Sequence, residues 1–369
     1  MTAPESLFDR MARDGHEQVS FWSEPGEGYR GIIAVHDTTL GPSMGGTRLW
    51  SYASDAEALE DALRLSRAMT YKSAIAGLDL GGGKSVIIGD PRTTEREPIF
   101  RAHGRAIQSL GGRYYAAEDV GTSADDMAVI RKETRYVSGL PGRSGDPSPL
   151  TAYGVFHALR ACAIERFGAP SLRGKHVALQ GVGHVGFHLC ALLAKEGSRL
   201  TVTDVDSAKV ARAEASFGAR GVEPEEIYDV EAEFFSPCAL GAVLDDRTIP
   251  RLRAGIVAGA ANNQLAEPRH EEALVRRGIL YAPDYVVNPG GIISVYGELH
   301  GWSHDESQAK THEVHATLLG VFERARADGV SAVAAADRIV EERLAAARRE
   351  RRNSPGARSP TRDQGIEPS

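Results

Sequence analysis

The arrangement of hydrophobic and polar residues in the first part of the chain predicts strands that alternate with helices. Continuous apolar runs are typical of buried strands, whereas apolar residues at every third or fourth position indicate a helix with one buried face. Residues 6–13 are a short amphipathic segment. The predicted strands are residues 29–36, 86–88 and 112–117, and the predicted helices are residues 55–71 and 95–110. Ser54 or Asp55 can cap the first of these helices. This part of the chain is therefore predicted to be α/β.

The same alternation continues after residues 140–149, a Pro-, Gly- and Ser-rich segment that predicts a linker or hinge. A helix is predicted to begin at Thr151, and the arginine-rich residues 348–352 are predicted to lead into a frayed tail. The predicted strands are residues 176–180, 200–203 and 278–283, and residues 232–241 and 256–264 are each predicted to be a strand that enters a loop of small residues. The predicted helices are one that opens at residues 181–186 and runs to 195, one that starts at 288, and residues 309–352. Repeated units of this kind favour a second α/β domain.

A glycine-rich stretch, residues 69–90, carries Lys72 and Lys84 on either side of a predicted turn. A plain turn with two solvated lysines is one interpretation. A phosphate-binding P-loop is a second, but that loop requires glycine where this chain has Leu78. A third is a paired-lysine site, in which one ammonium binds a carboxylate and burial lowers the pKa of the other. Lys72 follows Met69 by three residues on the apolar helix face, which favours the third interpretation.

Two other segments carry residues suited to a small ligand. Gly45 and Gly46, in a predicted loop, could present backbone N–H groups to an anion. Asp119 follows a predicted strand, and carboxylates at that end of a strand are well placed for ligands in an α/β sheet. Asp119 is not needed as a helix cap, because Thr122 and Asp125 have the spacing of a capping box.

A dinucleotide-binding fingerprint follows the linker. The segment Gly-Val-Gly-His-Val-Gly comes directly after a predicted strand and opens a helix, and Asp204 ends the next strand. A pyrophosphate would sit at the helix N-terminus, and Asp204 would accept hydrogen bonds from the ribose, which favours NAD over NADP. Asn262 and Asn263 are predicted at the same edge of the sheet. The fingerprint residues are Gly181, Val182, Gly183, His184, Val185 and Gly186.

Composition narrows the class of protein. A net charge of −7 argues against a general nucleic-acid binder, and no apolar run is long enough to span a membrane. The chain starts without the pattern of a secretory signal, and its 3 cysteines are scattered, which favours a reducing, cytoplasmic location. His312 and His315 lack the spacing of a zinc motif, so no metal is predicted.

Taken together, eight motifs in order resemble the glutamate/leucine/phenylalanine/valine dehydrogenase family, particularly its leucine and valine dehydrogenases. The resemblance covers roughly residues 10–345. The motifs are Gly-Pro-Ser-Met-Gly-Gly-Thr-Arg (41–48), Met-Thr-Tyr-Lys with Gly-Gly-Gly-Lys (69–84), Ala-Glu-Asp-Val-Gly (117–121), Pro-Ser-Pro-Leu-Thr-Ala-Tyr-Gly (147–154), Gly-Val-Gly-His-Val-Gly (181–186), Pro-Cys-Ala-Leu-Gly (237–241), Gly-Ala-Ala-Asn-Asn-Gln-Leu (259–265) and Tyr-Ala-Pro-Asp-Tyr-Val-Val-Asn (281–288).

The resemblance implies NAD-dependent oxidative deamination of an L-amino acid to a 2-oxo acid and ammonia. It implies that Lys72 binds the substrate carboxylate with help from Gly45 and Gly46, that Lys84 is the general base, and that Asp119 transfers protons to and from the amino group. Thr151 and one of Asn262 or Asn263 would orient the nicotinamide. The implied side-chain pocket consists of Met44, Ala117, Ile292 and Val295, all apolar, which favours a branched-chain substrate over an acidic one.

The resemblance also implies an organisation. Residues 1–140 would form a substrate-binding and oligomerisation domain, residues 148–330 an NAD-binding Rossmann domain, and residues 331–369 a helix returning to the first domain and a tail. The site would lie in a cleft between the domains of a homo-oligomer, an octamer or a dimer. Near the pocket, Met44, Ile292, Pro289 and Tyr296-Gly297 depart from the usual family residues, which leaves phenylalanine open as a substrate. A non-catalytic NAD-binding regulator is a further alternative.

Overall fold

A computed structural model describes residues 6–141 and 146–353. These residues form two compact units, each with its own sheet. Unit 1 consists of residues 6–141, 295–301 and 340–353, and unit 2 consists of residues 146–294 and 302–339. Positions 142–145 of the predicted linker, and the predicted tail from position 354, lie outside the described residues.

Unit 1 is built on a mixed sheet of five strands in the order β1-β2-β4-β3-β5. β1 and β2 are antiparallel, as are β2 and β4, whereas β4, β3 and β5 are parallel. The strands are β1 Gln18–Glu24, β2 Tyr29–Asp37, β3 Ser43–Trp50, β4 Gly81–Ile88 and β5 Tyr114–Glu118. The helices are α1 Leu7–Asp14, α2 Asp55–Ile75, α3 Arg96–Ser109 and α4 Ala124–Arg131.

The glycine-rich segment forms a strand, so the predicted turn at Gly81–Gly83 is wrong. These glycines begin β4, and their lack of side chains lets other elements approach closely. A Cβ at Gly82 would lie 2.1 Å from the backbone nitrogen of Thr70 in α2, and a Cβ at Gly83 would lie 2.6 Å from the ring of Tyr114. Both faces of β4 are therefore packed, which overrides the low strand propensity of glycine.

The predicted loop at residues 41–48 is likewise wrong, because this segment forms most of β3. β3 lies inside the sheet, between β4 and β5. A Cβ at Gly45 would lie 1.7 Å from the carbonyl oxygen of Gly83 on β4, so only glycine fits at position 45. The strand β1 was not predicted either, because Gln18–Glu24 lacks a continuous apolar run.

Helix α2 covers the face of the sheet that carries the candidate lysines. Its N-terminus is capped by the Ser54 side chain, which accepts a hydrogen bond from the Glu57 N–H, and the helix extends to Ile75, beyond the predicted end at residue 71. The opposite face carries a core in which Tyr29, Phe100 and Tyr114 are fully buried. Burial of each such side chain contributes about 1.5–3 kcal/mol to folding.

Unit 2 is built on a parallel sheet of six strands in the order β11-β10-β9-β6-β7-β8. The strands are β6 His176–Gln180, β7 Arg199–Thr203, β8 Arg220–Gly221, β9 Ala232–Pro237, β10 Ala254–Val257 and β11 Leu280–Tyr281. The helices of unit 2 are α5 Ser148–Phe167, α6 His184–Glu196, α7 Ser207–Phe217, α8 His270–Arg276, α9 Asp284–Val287, α11 His304–His312 and α12 Val314–Asp328. Two further helices, α10 Gly290–His300 and α13 Ala332–Asn353, each have residues in both units. The predicted α/β class is confirmed in both units.

Several element boundaries differ from the prediction. The capping box of α4 uses Ser123 and Asp126, so the predicted pair one residue earlier is wrong. Helix α5 starts before Thr151, with Pro149 in its first turn, where a missing N–H costs nothing. The single helix predicted for residues 309–352 is three helices, α11 to α13, and Gly329 in a left-handed conformation ends α12.

The arginine-rich residues 348–352 belong to α13, which continues as far as Asn353. Within unit 1, Arg348 forms an ion pair with the buried carboxylate of Asp37 and donates to the Thr39 hydroxyl, 3.3 Å away. This contact anchors the end of the helix. None of the helices in residues 6–141 and 146–353 has the length and apolar character required to cross a bilayer.

Candidate active site

Lys84 and Asp119 form a buried ion pair in unit 1. Lys84 lies in the middle of β4 with 5% of its surface exposed, and its ammonium donates to Oδ2 of Asp119, the residue that follows β5. Gly46 lies between them on β3, and a Cβ there would be 2.7 Å from Cβ of Asp119. The missing side chain at Gly46 leaves the space in which the two charged groups meet.

Burial and charge act against each other on this pair. Burial lowers the pKa of Lys84; the charge of Asp119 opposes this shift, and the charge of Arg48 reinforces it. Burial acts to raise the pKa of Asp119, but the charges of Lys84 and Arg48 outweigh it and lower that pKa to about 2. Asp119 is therefore a carboxylate at neutral pH, and Lys84 gives up its proton more readily than an exposed lysine.

The other candidate residues of unit 1 share the sheet face of Lys84. Register pairs Met44 with Gly82 and with Tyr115, and pairs Gly46 with Ala117. Because side chains alternate along a strand, Met44, Ala117 and Lys84 point to the side that α2 covers. Lys72 is half-buried near the end of α2. Met44 is 1% exposed.

The glycine pair of β3 has few sheet contacts on one side. The register joins Met44 to Gly82 and Thr47 to Ser85, and across residues 6–141 no ladder pair joins Gly45 or Gly46 to β4. Gly46 is also half-buried. This gap in the ladder, beside Lys84, is compatible with backbone groups that bind a ligand.

Sequence reasoning missed three residues that are connected to the ion pair by a chain of hydrogen bonds, namely Arg48, Asp61 and Tyr52. Arg48 donates from Nε to Oδ2 of Asp119, 3.1 Å away, and from Nη1 to Oδ2 of Asp61, 2.7 Å away. The hydroxyl of Tyr52 donates to the same Asp61 oxygen at 2.8 Å. The sequence contained a signal for Arg48. It follows Gly46 by two residues, and alternate residues of a strand lie on the same face of the sheet.

In unit 2, each glycine of the fingerprint suits its position for a different structural reason. Gly181 has a φ of +93°, and a Cβ at Gly186 would lie 1.9 Å from the carbonyl oxygen of Gly181. At Gly183, the N-terminal cap of α6, a Cβ would meet nothing within 4 Å. Val182 donates its N–H to Oδ2 of Asp204 at 2.9 Å, which places that carboxylate beside the glycine loop. The remaining fingerprint residues, His184 and Val185, begin α6.

The open position at Gly183 is the space that a pyrophosphate needs to approach the N-terminus of α6. Asp204 keeps acceptor capacity for a ligand, because a carboxylate oxygen can accept more than one hydrogen bond, and its two oxygens accept backbone hydrogen bonds from Val182 and from Asp206. These residues therefore fit an adenosine dinucleotide.

The asparagines lie near the same edge of the sheet. Asn262 and Asn263 are exposed, and Asn263 adopts a φ of 51° in the left-handed region that Asn tolerates. The Asn262 side-chain oxygen accepts from Nδ2 of Asn288 at 2.9 Å. Asn288 was not a predicted site residue. Thr151 lies in the first turn of α5, and its hydroxyl donates to the carbonyl of Pro147 at 3.0 Å.

Two candidate pocket residues lie on α10. Ile292 is buried and Val295 is half-buried, and their separation of three residues puts them on one helix face. Ile292 belongs to unit 2 and Val295 to unit 1. His312 and His315 lie on either side of the junction between α11 and α12, and their rings stack with centroids 6.3 Å apart. Within the part of the chain that the structure describes, no three His, Cys, Asp or Glu side chains form a group suited to a metal ion.

Two family descriptions match the chain. "Glu/Leu/Phe/Val dehydrogenase, dimerisation domain" matches residues 16–136, and "Glutamate/Leucine/Phenylalanine/Valine dehydrogenase" matches residues 206–352. The chain belongs to the Glu/Leu/Phe/Val dehydrogenase family. This confirms the resemblance inferred from the eight motifs, and the protein is an NAD-dependent amino-acid dehydrogenase.

Individual relatives of this dehydrogenase are similar over almost the whole chain. Leucine dehydrogenase of Geobacillus stearothermophilus is 53% identical, over 94% of this chain and 95% of that protein. Valine dehydrogenase of Streptomyces coelicolor is 48% identical, over 90% and 93%. The crystal structure of L-tryptophan dehydrogenase from Nostoc punctiforme matches with a TM-score of 0.83 and 43% identity, over 93% of this chain and 100% of that chain.

Proposed function

We propose that this dehydrogenase catalyses the reversible oxidative deamination of a branched-chain L-amino acid, with NAD⁺ and water, to the 2-oxo acid, ammonium, NADH and a proton. The observation that carries the proposal is the buried Lys84–Asp119 pair on a glycine-lined face of the sheet. Similarity to leucine and valine dehydrogenases supports the branched-chain substrate.

We assign to Lys84 the role of general base. When bound, NAD supplies the hydride acceptor for the substrate α-carbon. Loss of hydride leaves an imine, and neutral Lys84 takes a proton from the water that attacks the imine carbon. The lowered pKa of Lys84 supports this role, because burial increases the fraction of neutral amine.

We assign to Asp119 the transfer of protons at the substrate nitrogen. Asp119 accepts a proton from the substrate ammonium before hydride transfer and returns it to the amino group after water has added. Lys84 releases the proton taken from water to solvent and then takes the hydroxyl proton as the C–N bond breaks, so that C=O forms and ammonia leaves. The hydrogen bond from the Lys84 ammonium to Oδ2 of Asp119 supports an exchange of protons between the two residues.

Binding of the substrate carboxylate is assigned to Lys72, with the backbone N–H groups near Gly45 and Gly46. Lys72 lies on the helix that covers this sheet face, and the strand ladder is open at both glycines.

We further propose that unit 1 is the substrate and oligomerisation domain, and that unit 2 is the NAD-binding domain. Thr151 and Asn262 or Asn263 would orient the nicotinamide end.

Substitutions at two glycines of the fingerprint distinguish an effect on NAD binding from an effect on folding. Gly183→Ala is expected to fold like the wild type, because its Cβ meets nothing within 4 Å, and to raise the Kd for NAD⁺ about tenfold by blocking the pyrophosphate. Gly186→Ala is the matched variant, in which the Cβ collides with the backbone and lowers stability by about 1–3 kcal/mol. Thermal melting and NAD⁺ titration measure the two effects. Unchanged NAD⁺ affinity in Gly183→Ala would refute the assigned pyrophosphate site.

Substrate preference tests the proposed function. We propose that Met44 and Ala117 form an apolar side-chain pocket in unit 1, which accepts leucine, valine or isoleucine and leaves no partner for the carboxylate of glutamate. We expect kcat/KM for these three amino acids to exceed that for phenylalanine or tryptophan by about tenfold or more. NADH formation with each amino acid is the measurement, with NADP⁺ as a second acceptor.

The outcomes of that assay have distinct meanings. A preference for phenylalanine or tryptophan would keep the reaction and refute the proposed pocket. Equal use of NADP⁺ would contradict the role of Asp204, whose charge should repel a 2′-phosphate. No turnover with any of the amino acids, while NAD⁺ still binds, would refute the proposed function and favour a regulatory protein.

We also propose a homo-oligomer, an octamer or a dimer, in the cytoplasm. β1 is an edge strand that exposes Phe21, and the matched family description names a dimerisation domain over this region. Light scattering in solution distinguishes the two assemblies from a monomer.

The cysteines Cys162, Cys190 and Cys238 are free thiols, which supports a reducing compartment.

A further inference from the structure

Arg48 links the proposed catalytic pair to a second carboxylate. Its guanidinium bridges Asp119 at 3.1 Å and Asp61 at 2.7 Å, from β3 to the end of β5 on one side and to α2 on the other. Side-chain exposure is 22% for Arg48, 14% for Asp61 and 24% for Asp119. Charges this far removed from solvent interact more strongly than surface ion pairs do.

Asp61 is itself held in place. Oδ2 accepts from the Tyr52 hydroxyl at 2.8 Å as well as from Arg48, and Oδ1 accepts from Arg64 at 2.9 Å. Both oxygens of Asp61 are therefore engaged, and the Arg48 guanidinium is fixed between two immobile carboxylates. An arginine held this way restricts the orientation of Asp119.

Among the residues that the structure describes, few titratable side chains lie around Lys84. The titratable side chains of the elements packed against Lys84 that face it or lie beside it are Asp119 of β5, Arg48 of β3, Asp61 and Lys72 of α2, His36 of β2, and, across the sheet, Tyr114 of β5 and His103 of α3. Burial lowers the pKa of His36 to about 4 and of His103 to about 3, and raises the pKa of Tyr114. These three groups are neutral near pH 7, and the charges that act on Lys84 include those of Asp119, Arg48 and Asp61.

We propose that Arg48, anchored by Asp61, is a positioning residue of this dehydrogenase that orients the Asp119 carboxylate and sets the pH at which Lys84 loses its proton. The proposal rests on the proposed function of Lys84 and Asp119. The positive charge of Arg48 favours neutral Lys84, whereas the negative charge of Asp61 favours the ammonium. Arg48 and Asp61 therefore oppose each other, and their balance sets the protonation of the base.

Two variants test this balance by moving one pH profile in opposite directions. Since only neutral Lys84 acts as base, kcat/KM rises with pH through the pKa of Lys84. Arg48→Gln removes a positive charge and is expected to shift this rise to higher pH by about one pH unit, and Asp61→Asn is expected to shift it to lower pH by a similar amount. Arg48→Lys keeps the charge, so the rise should stay near its wild-type position while kcat falls about tenfold through loss of the fixed geometry.

The matched control is Arg92→Gln, which removes an arginine from an exposed pair with Asp90 and should leave the profile unchanged. Circular dichroism checks the fold of each variant, and if Arg48→Gln does not fold, the downward shift in Asp61→Asn decides alone. Shifts in the same direction, or no shift, in an active enzyme would overturn the proposal for Arg48. An inactive wild-type enzyme would instead overturn the proposed function.

Discussion

Lys84→Met is expected to lower kcat for oxidative deamination by about 10³- to 10⁴-fold, because it removes the proposed general base. Methionine is unbranched and of similar length, so the buried space in β4 stays filled. NAD⁺ affinity should remain within about twofold of wild type, since the fingerprint lies in unit 2, whereas Lys84 lies in unit 1. Steady-state turnover with leucine and an NAD⁺ titration are the two measurements.

The control for this prediction is Lys132→Met, which removes an exposed lysine paired with Glu97 and should keep wild-type turnover. If Lys84→Met retained more than about a tenth of wild-type kcat, the assignment of the base would be wrong. In the wild type, kcat/KM should increase with pH below the usual range of a lysine, because burial lowers the pKa of Lys84.

Asp119→Asn is expected to lower kcat by about 10²- to 10⁴-fold, because the amide cannot exchange a proton with the substrate nitrogen. Asparagine keeps the shape of the side chain. At a pH where Lys84 is neutral in both enzymes, the loss should not depend on pH, since the pKa of Asp119 is about 2 and the wild-type carboxylate is ionised there.

A second effect distinguishes this variant from a structural defect. Removal of the Asp119 charge takes away the group that favours the Lys84 ammonium, so any residual activity should rise at a lower pH than in the wild type. Asp90→Asn, at an exposed pair with Arg92, is the control. Residual activity with an unshifted pH profile would mean that Asp119 and Lys84 are not coupled.

The P-loop interpretation conflicts with the fold of unit 1. Gly83, Lys84 and Ser85 lie inside strand β4 rather than in a loop that opens a helix. The Ser85 hydroxyl donates to Thr47 at 2.9 Å on the face away from α2, so Lys84 and Ser85 point to opposite sides of the sheet. They cannot converge on one phosphate group.

The sequence by itself determined the family and most of the elements. Eight short motifs in a fixed order are specific even where each is weak, and the strands at 29–36, 176–180 and 200–203 carry apolar runs that depend on local residue choice. Lys84, Asp119 and the fingerprint glycines were also identified from the motifs, because each stands at the position in its motif that its chemistry requires. Their catalytic and binding roles stay proposals.

Only the tertiary structure decided what surrounds those residues. Glycine at positions 45, 46 and 82 looks like a turn in sequence, and becomes strand because neighbouring backbone and side chains occupy the space of each Cβ. Arg48, Asp61 and Asp119 are far apart in the chain and meet only through the order β4-β3-β5 and the placement of α2. Contacts between distant residues depend on how strands and helices pack, and local residue patterns do not encode them.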